Sequence, residues 1–326
     1  MVAASSSNPN EFTLSATGVG TATLSISATP AASIAGTPLA VTTPLTASVL
    51  TTTIAGNAVS GSADGTGASA SFNYPKFLAY DSFNGNLYVT DYANCEIRQV
   101  TPGGAVTTIA GSPGSCSTSA DGTGPSASFQ SPAGIAYDSA DGNLYVTDTA
   151  NCEIRQVTTA GVVTTIAGNS TACGSADGTG ASAGFTYPSG IAYDSADGHL
   201  YVTDTGNCDI RRLTTAGVVT TIAGSTTCGS ADGTGSSARF YGPAGIAYDS
   251  ASGELYVTDS YNYTIRRVTV AGVVTTIAGT AGMAAFADGL GANASFNYPT
   301  GIAYDAANGY LYVTDSANNR IREMQL

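Results

Sequence analysis

Hydrophobic positions in this chain come in short runs of about five residues, rich in β-branched and aromatic side chains and separated by turn residues. GIAYD (134–138) and LYVTD (144–148) flank an Asp-Gly pair, which favours a tight hairpin because both turn positions need positive φ. The runs EIRQV (153–157) and VVTTIA (162–167) follow. The pattern predicts four consecutive antiparallel strands. Since no segment holds a 3.6-residue period over ten residues, a helical repeat is excluded.

This four-strand unit recurs five times. Its TTIAG phrase has isoleucine at Ile54, Ile109, Ile166, Ile222 and Ile277, and its LYVTD phrase ends at Asp91, Asp148, Asp204, Asp259 and Asp315. Units of four short strands at a fixed spacing are typical of β-propeller blades, in which each sheet packs against its neighbours around a ring.

The order GIAYD–LYVTD–NxxIR resembles the NHL repeat, a blade type of β-propellers. The long ADGxGxxAxF insertion is similar to that of secreted bacterial NHL proteins. The resemblance implies a propeller, usually of six blades in this family. It does not imply one function, because propellers serve for binding, scaffolding and catalysis.

The predicted fold is all-β: a propeller with five NHL-type four-stranded blades, spanning residues 47–326. The last unit stops after its third strand, so we predict that the N-terminal TTIAG strand (51–56) pairs with it and closes the ring. Residues 1–46 form a Ser/Thr/Ala-rich, β-prone arm. The alternative makes residues 12–50 a degenerate sixth blade.

The six cysteines occupy two positions of the repeat: Cys95, Cys152 and Cys208 begin the third strand, and Cys116, Cys173 and Cys228 follow the fourth. These strands form a hairpin, so both positions lie at the same end of one blade, and two units lack both cysteines. We therefore predict the disulfides Cys95–Cys116, Cys152–Cys173 and Cys208–Cys228. Metal binding is the weaker alternative because each blade supplies only two thiols. Three disulfides indicate an oxidising location, extracellular or at the cell surface.

The net charge of the chain limits the classes of partner that it can bind. The net charge is −13 with 10 basic side chains, which argues against nucleic acid and anionic membrane surfaces. No apolar run approaches the ~20 residues of a membrane-spanning helix, so no membrane insertion is expected. The single histidine, His199, lies at a turn. Propeller lyases similar to NHL proteins hold a metal through several histidines, which this chain lacks. We predict no catalytic residue.

Most of the 23 acidic side chains fall at the ADG, AYD and VTD aspartates of the repeat. A position filled in every blade serves the blade, through turn hydrogen bonds and pairing with the repeated arginines. The recurring phenylalanines and tyrosines are expected to pack between blades. No cofactor is predicted; calcium at the oxygen-rich turn 138–143 is the alternative.

Function is expected where the units differ. The loops after LYVTD and after TTIAG diverge and are expected to share one face. They bring together a candidate contact face for a protein or glycan, with ordinary loop packing as the alternative reading. Its residues are Tyr92, Tyr261, Tyr263, Met283 and Phe286.

The sequence thus favours a non-catalytic extracellular propeller that acts as a binding or structural module. A second hypothesis makes it a subunit of a self-assembling cell-surface filament or layer, in which residues 5–50 of one copy add strands to the last blade of another. A propeller-type lyase or hydrolase is the third.

Overall fold

The computed structural model describes Val2–Ser5, Thr13–Ala16 and residues 52–326. The chain divides into two units, Met1–Thr53 and Ile54–Leu326. In the first unit β1 (Val2–Ser5) pairs with β2 (Thr13–Ala16) in antiparallel register. The predicted boundary between residues 46 and 47, and most of the stretch 12–50 considered as a degenerate blade, lie outside the described residues.

The second unit contains five antiparallel sheets arranged around a ring, and the five-bladed all-β propeller is therefore confirmed. The strands of blades 1 and 2 are β3 (Gly65–Thr66), β4 (Pro75–Tyr80), β5 (Leu87–Asp91), β6 (Glu96–Val100), β7 (Ala105–Gly111), β8 (Gly122–Thr123), β9 (Pro132–Tyr137), β10 (Asn143–Asp148), β11 (Glu153–Thr158) and β12 (Val162–Gly168). Those of blades 3 to 5 are β13 (Gly178–Thr179), β14 (Pro188–Asp194), β15 (His199–Asp204), β16 (Asp209–Thr214), β17 (Val218–Gly224), β18 (Gly233–Thr234), β19 (Pro243–Asp249), β20 (Glu254–Asp259), β21 (Thr264–Thr269), β22 (Val273–Ala278), β23 (Pro299–Asp305), β24 (Tyr310–Asp315) and β25 (Arg320–Gln325).

Each of the first four blades has the four predicted long strands and a two-residue strand on the outer edge, in the order β3-β7-β6-β5-β4 for blade 1. The helical segments are single 3₁₀ turns in the loops. They span Gly67–Ser69, Gly124–Ser126, Thr149–Asn151, Gly180–Ser182, Thr205–Asn207, Gly235–Ser237, Ser260–Asn262, Gly291–Asn293 and Ser316–Asn318.

Consecutive blades meet through one recurring contact. The LYVTD tyrosine of one blade packs against the GIAYD tyrosine of the next, as in Tyr88–Tyr137, with ring centroids 5.5 Å apart. The LYVTD threonine donates to a carbonyl of that next blade, as in Thr90 Oγ1 to Ala133 O at 2.7 Å. The tyrosine contact recurs at Tyr145–Tyr193, Tyr201–Tyr248 and Tyr256–Tyr304. The buried layers between sheets are therefore built from repeat positions, as predicted.

The junction between blade 5 and blade 1 differs from these four. Tyr312 and Tyr80 hold the matching positions, and they are 37% and 59% exposed, whereas Tyr145 is fully buried. Thr314 Oγ1 bonds within its own blade, to the backbone of Gly301. The described contacts therefore complete four of the five blade junctions in the recurring way.

The fifth blade has three strands among the described residues, β23-β24-β25. The TTIAG segment at 52–56 does not pair with β25 there, so the predicted four-stranded form of this blade is not seen. The segment lies instead against blade 1, where a Cβ at Gly104 would collide with the Ile54 carbonyl oxygen. Gly161 and Ile109 stand in the same relation one blade further on. TTIAG thus occupies, relative to blade 1, the place of the outer strand of a preceding blade.

Candidate binding face

The two variable loops open at the same end of each blade, which we name the loop face. In blade 2, Pro132 at the start of β9 pairs with Asp148 at the end of β10. Asp148 pairs with Glu153, and Glu153 pairs with Gly168 at the end of β12. The loops after LYVTD and after TTIAG therefore begin side by side, as the hairpin order predicts.

The three disulfides lie at this end. The bonds join Cys95 to Cys116, Cys152 to Cys173 and Cys208 to Cys228, the pairs predicted from the repeat. Cys152 and Cys208 adopt the left-handed conformation that ends the 3₁₀ turn before β11 and β16. In blade 4 the same left-handed position holds Tyr263. The disulfides anchor the loops of three blades and leave those of blades 4 and 5 without a covalent tie.

The repeated acids and arginines form one buried ion cluster per blade. Arg155 is fully buried; its Nη1 donates to Asp148 Oδ2 at 2.8 Å, and its Nη2 donates to Asp121 Oδ1 at 2.9 Å. The guanidinium also lies 5.1 Å from the Phe129 ring centroid, a favourable cation–π distance. The equivalent arginines are Arg98, Arg211, Arg266 and Arg322. The VTD and ADG aspartates are thus engaged in holding the blade together.

The AYD aspartates stabilise the hairpin turns at the opposite end. Asp138 Oδ1 accepts the Ala140 N–H at 2.8 Å, an arrangement that fixes the turn locally. The same bond is made by Asp81, Asp194, Asp249 and Asp305. The prediction of no cofactor, with calcium at turn 138–143 as its alternative, is not tested by these contacts.

Glu96 is a buried carboxyl beside one of these clusters. Its Oε2 lies 3.6 Å from Arg98 Nη1 and accepts no hydrogen bond from the described residues. Burial raises the pKa of Glu96 to about 7, against the partial opposition of the Arg98 charge. Glu153 holds the same position in blade 2, where it accepts hydrogen bonds from Ser119 Oγ and the Ser170 N–H. The two carboxyls therefore share a place in the fold and differ in their donors.

Replacing Glu96 by glutamine is expected to raise the free energy of unfolding at pH 8 and to leave it nearly unchanged at pH 4. Native Glu96 keeps its proton up to a pKa of about 7, whereas the unfolded chain releases it near the ordinary value of 4.5. The native state therefore binds more protons in this window, so wild-type stability falls as pH rises through it. Urea unfolding across pH 4–8 measures the difference. Glu153→Gln is the control and should bring no gain at pH 8; an E96Q profile parallel to wild type would contradict the assignment.

The structure distributes the five predicted contact residues over two parts of the loop face. Tyr92 packs against Tyr74, with centroids 5.9 Å apart, and Lys76 Nζ lies 4.6 Å above its ring. Tyr261 packs against Tyr241 and Tyr298 at the junction of blades 4 and 5.

The other three predicted residues, Tyr263, Met283 and Phe286, belong to loops of blade 4. Tyr263 is half-buried, and Met283 is exposed on the loop after β22. Phe286 packs under the Arg320 guanidinium, 3.7 Å from the ring centroid, and is held by blade 5. That the five residues act as one contact face stays a prediction.

The first long strand of every blade begins with a proline, and the residue directly before that proline is an exposed tyrosine in three blades. The sequence analysis did not single out these tyrosines. Tyr74, Tyr187 and Tyr298 occupy this position with left-handed backbone, and Ser131 and Gly242 occupy it in the other two blades. The left-handed shape belongs to every blade, and glycine adopts it with the least strain. Three blades nevertheless carry tyrosine there, so the side chain is not required by the backbone. The Tyr-Pro dipeptide was the available signal.

His199 lies at the other end of the molecule. Its Nδ1 is 2.6 Å from Asp197 Oδ1 in the turn that precedes β15. The one histidine is therefore remote from the loop face, as predicted from its place in the repeat.

Comparison with known proteins agrees with the blade pattern. The family model described as NHL repeat matches residues 129–157, 185–213, 240–267 and 296–323, which are the inner three strands of blades 2 to 5. This chain is an NHL-repeat β-propeller. Blade 1 departs from the NHL pattern where Lys76-Phe77 stand in place of a small residue and glycine.

This NHL propeller is similar to segments of two longer proteins. It is 28% identical over 276 residues to Protein SUPPRESSOR OF QUENCHING 1, chloroplastic, of Arabidopsis thaliana, covering 81% of this chain and 26% of that protein. It is 34% identical over 99 residues to NHL repeat-containing protein 2 of Homo sapiens, covering 30% of this chain and 14% of that protein. The chain therefore spans about a quarter or less of these relatives.

Solved structures share the fold of the NHL propeller. An auxiliary nutrient binding protein from Bacteroides thetaiotaomicron aligns with a TM-score of 0.59 at 18% identity, over 79% of this chain and 60% of that one. A nidogen/laminin complex aligns with a TM-score of 0.52 at 17% identity, over 79% of this chain and 82% of that one. No helix within the described residues is long and apolar enough to cross a membrane.

Proposed function

We propose that this NHL propeller is a non-catalytic extracellular binding module whose ligand, a protein or glycan, docks on the loop face. One observation carries the proposal: Tyr74, Tyr241, Tyr261 and Tyr298 on this face are exposed, and the residues at their positions vary between blades. The repeated aspartates and arginines, in contrast, are engaged within the blades. Tyrosine supplies a large, rigid contact area at low entropic cost and is enriched at binding sites.

The extracellular setting is supported by the three disulfides, since such bonds persist in oxidising compartments. The similarity of the ADGxGxxAxF insertion to secreted bacterial NHL proteins points the same way. The neighbour named as an auxiliary nutrient binding protein shows that this fold is used in proteins given a binding role.

The proposal is tested by paired surface variants. Labelled wild-type protein and the double variant Tyr92→Ala/Tyr261→Ala are added to intact cells and extracellular material of the source organism. We expect the double variant to lose most of the bound signal, because it removes one ring from each tyrosine group, half-buried Tyr92 and exposed Tyr261. Phe83→Ala is the control: Phe83 is an exposed aromatic in the turn at the opposite end, and its loss should change little. Equal binding by all three proteins, or ligand turnover by the wild type, would overturn the proposal.

A second candidate function, assembly with other copies, is supported by the outer edge of β25. Ile321 is 70% exposed there, whereas its counterpart Ile154 is fully buried beside β12. An unpaired edge strand is a template for a strand from another chain. Residues 5–50 carry a single charged side chain, Glu11, and are β-prone, which suits a donated strand.

Assembly predicts filaments or defined oligomers for the purified full-length chain by negative-stain microscopy and light scattering. Ile321→Lys should disperse them by placing a charge on the acceptor edge. Val273→Lys, on the already paired outer strand of blade 4, is the matched control and should leave them intact. Monodisperse single discs in the wild type would remove this candidate and leave the binding proposal untouched.

A further inference from the structure

Blade 4 breaks the repeat at two neighbouring loops of the loop face. Tyr261 follows LYVTD by two residues, where the other blades have Ala93, Ala150, Gly206 and Ala317. Tyr241 precedes the inner strand, where the others have Asn73, Gln130, Thr186 and Asn297. Two bulky aromatic residues therefore stand at positions that are small or polar elsewhere.

Gly242 makes room for this arrangement. The other four blades carry tyrosine or serine at its position, and here any Cβ would collide with the Tyr261 ring. The φ of Gly242 is +65°, the same left-handed shape that its counterparts adopt. The glycine is therefore explained by the space that Tyr261 needs. Three departures from the repeat, Tyr241, Gly242 and Tyr261, depend on one another and build one feature.

The feature is a cluster of three aromatic rings, which we name the tyrosine cluster: Tyr241, Tyr261 and Tyr298. Tyr261 is central, with centroid distances of 4.9 Å to Tyr241 and 5.2 Å to Tyr298, the latter edge-to-face. The rings are 49%, 43% and 37% exposed in the order of the chain. The Tyr261 N–H donates to Tyr241 O at 3.0 Å, which ties the two loops together. The rings are thus prearranged and still open to solvent.

The polar groups of the cluster are neutral phenol hydroxyls. Burial and the hydrogen bond with Tyr261 raise the pKa of Tyr298 to about 12, so this hydroxyl keeps its proton at physiological pH. The carboxylate beneath, Asp259, accepts the Tyr241 N–H and is paired with buried Arg266. Its charge is therefore compensated inside the blade. The surface offered to a ligand combines aromatic faces with uncharged donors and acceptors.

We propose that the tyrosine cluster binds a neutral carbohydrate, with a sugar ring against Tyr261 and sugar hydroxyls bonded to the phenol groups. Aromatic faces suit the C–H face of a pyranose, and a few fixed polar groups give orientation. A neutral face also matches a neutral ligand, since a charged glycan would lose solvation without gaining a partner. This inference rests on the proposed binding function and names its ligand class.

The test is isothermal titration and saturation-transfer NMR with defined neutral hexasaccharides of glucose, mannose, xylose and N-acetylglucosamine, with heparin and polygalacturonate as charged probes. Wild type should bind at least one neutral probe and neither charged one. Tyr261→Ala should weaken that binding about tenfold or more, the effect typical of truncating an aromatic anchor. Phe83→Ala, which removes an exposed aromatic ring at the opposite end of the propeller, should stay within about twofold of wild type.

Gly242→Ala provides a second, independent variant, because its methyl group displaces the Tyr261 ring without removing any ring, and it should weaken binding as well. The absence of binding to every neutral probe, or unchanged binding by Tyr261→Ala, would overturn the carbohydrate assignment. If neutral probes fail while cell-surface binding remains sensitive to Tyr92→Ala/Tyr261→Ala, the ligand is a protein and the proposed function survives. If both assays fail, both proposals fall.

Discussion

Replacing Arg266 by alanine is expected to lower the free energy of unfolding by about 3–5 kcal/mol, the cost of breaking a buried ion pair by removing one partner. Arg266 is fully buried, and its Nη1 donates to Asp259 Oδ2 at 2.6 Å. Its Nη2 donates to Asp232 Oδ1 at 2.8 Å and to the Ala231 carbonyl at 3.1 Å. Without the guanidinium, Asp259 is left in the sheet interior with its charge unpaired, and the carbonyls of Ala231 and Arg239 each lose one donor.

The adjacent residue supplies the control. Arg267 points to the other side of β21; its side chain is 43% exposed and lies 3.5 Å from Glu254. Exposed pairs of this kind contribute at most about 1 kcal/mol. Urea unfolding of Arg266→Ala and Arg267→Ala, with the disulfides intact, measures both. Equal losses from the two variants would show that the buried cluster does not hold the blade.

The second large effect concerns the disulfides. Cys152→Ala with Cys173→Ala is expected to lower the free energy of unfolding by roughly 3 kcal/mol, because the bond closes a loop of about 21 residues in the unfolded chain. The double substitution leaves no free thiol. Blade 4 is the internal control: hydrogen exchange should become faster in β11 and β12 and stay the same in β21 and β22. Unchanged stability, or six free thiols in protein isolated without reductant, would contradict the assigned bonds.

The blade architecture was predictable because its structural devices recur at the same register of the repeat. The turn glycine and the LYVTD strand are present in all five units and the two cysteine positions in three, always together, so four strands and three disulfides followed from spacing. The repeated aspartates and arginines also followed, since a residue needed in every blade serves the blade. Arg155, Asp148 and Asp121 meet as that argument requires.

The tyrosine cluster was only partly predictable. Tyr261 was singled out because it departs from the repeat. Tyr298 shares its Tyr-Pro turn with blades 1 and 3 and so does not depart from the repeat, and its exposure depends on left-handed backbone that sequence pattern does not reveal. Nothing in the sequence pattern indicates the role of Gly242, which emerges only from the closeness of the Tyr261 ring.

The junction of blade 5 with blade 1 also escaped prediction. Repeat counting gave the first TTIAG segment a place beside β25, and its contact with Gly104 agrees with the place of an outer strand before blade 1. The repeat spacing assigns Tyr312 and Tyr80 to matching positions, but it does not predict whether their side chains pack against each other.

The central claim is that the repeated residues build the blades and the loop face binds. Hydrogen–deuterium exchange of the full chain, with and without its bound cell-surface ligand or the best neutral oligosaccharide, tests it most directly. The account predicts slower exchange at 241–242, 260–263 and 297–299 on binding, and unchanged exchange at the opposite turns 82–85, 139–142 and 195–198. Protection confined to those opposite turns, with none at the tyrosine loops, would contradict it.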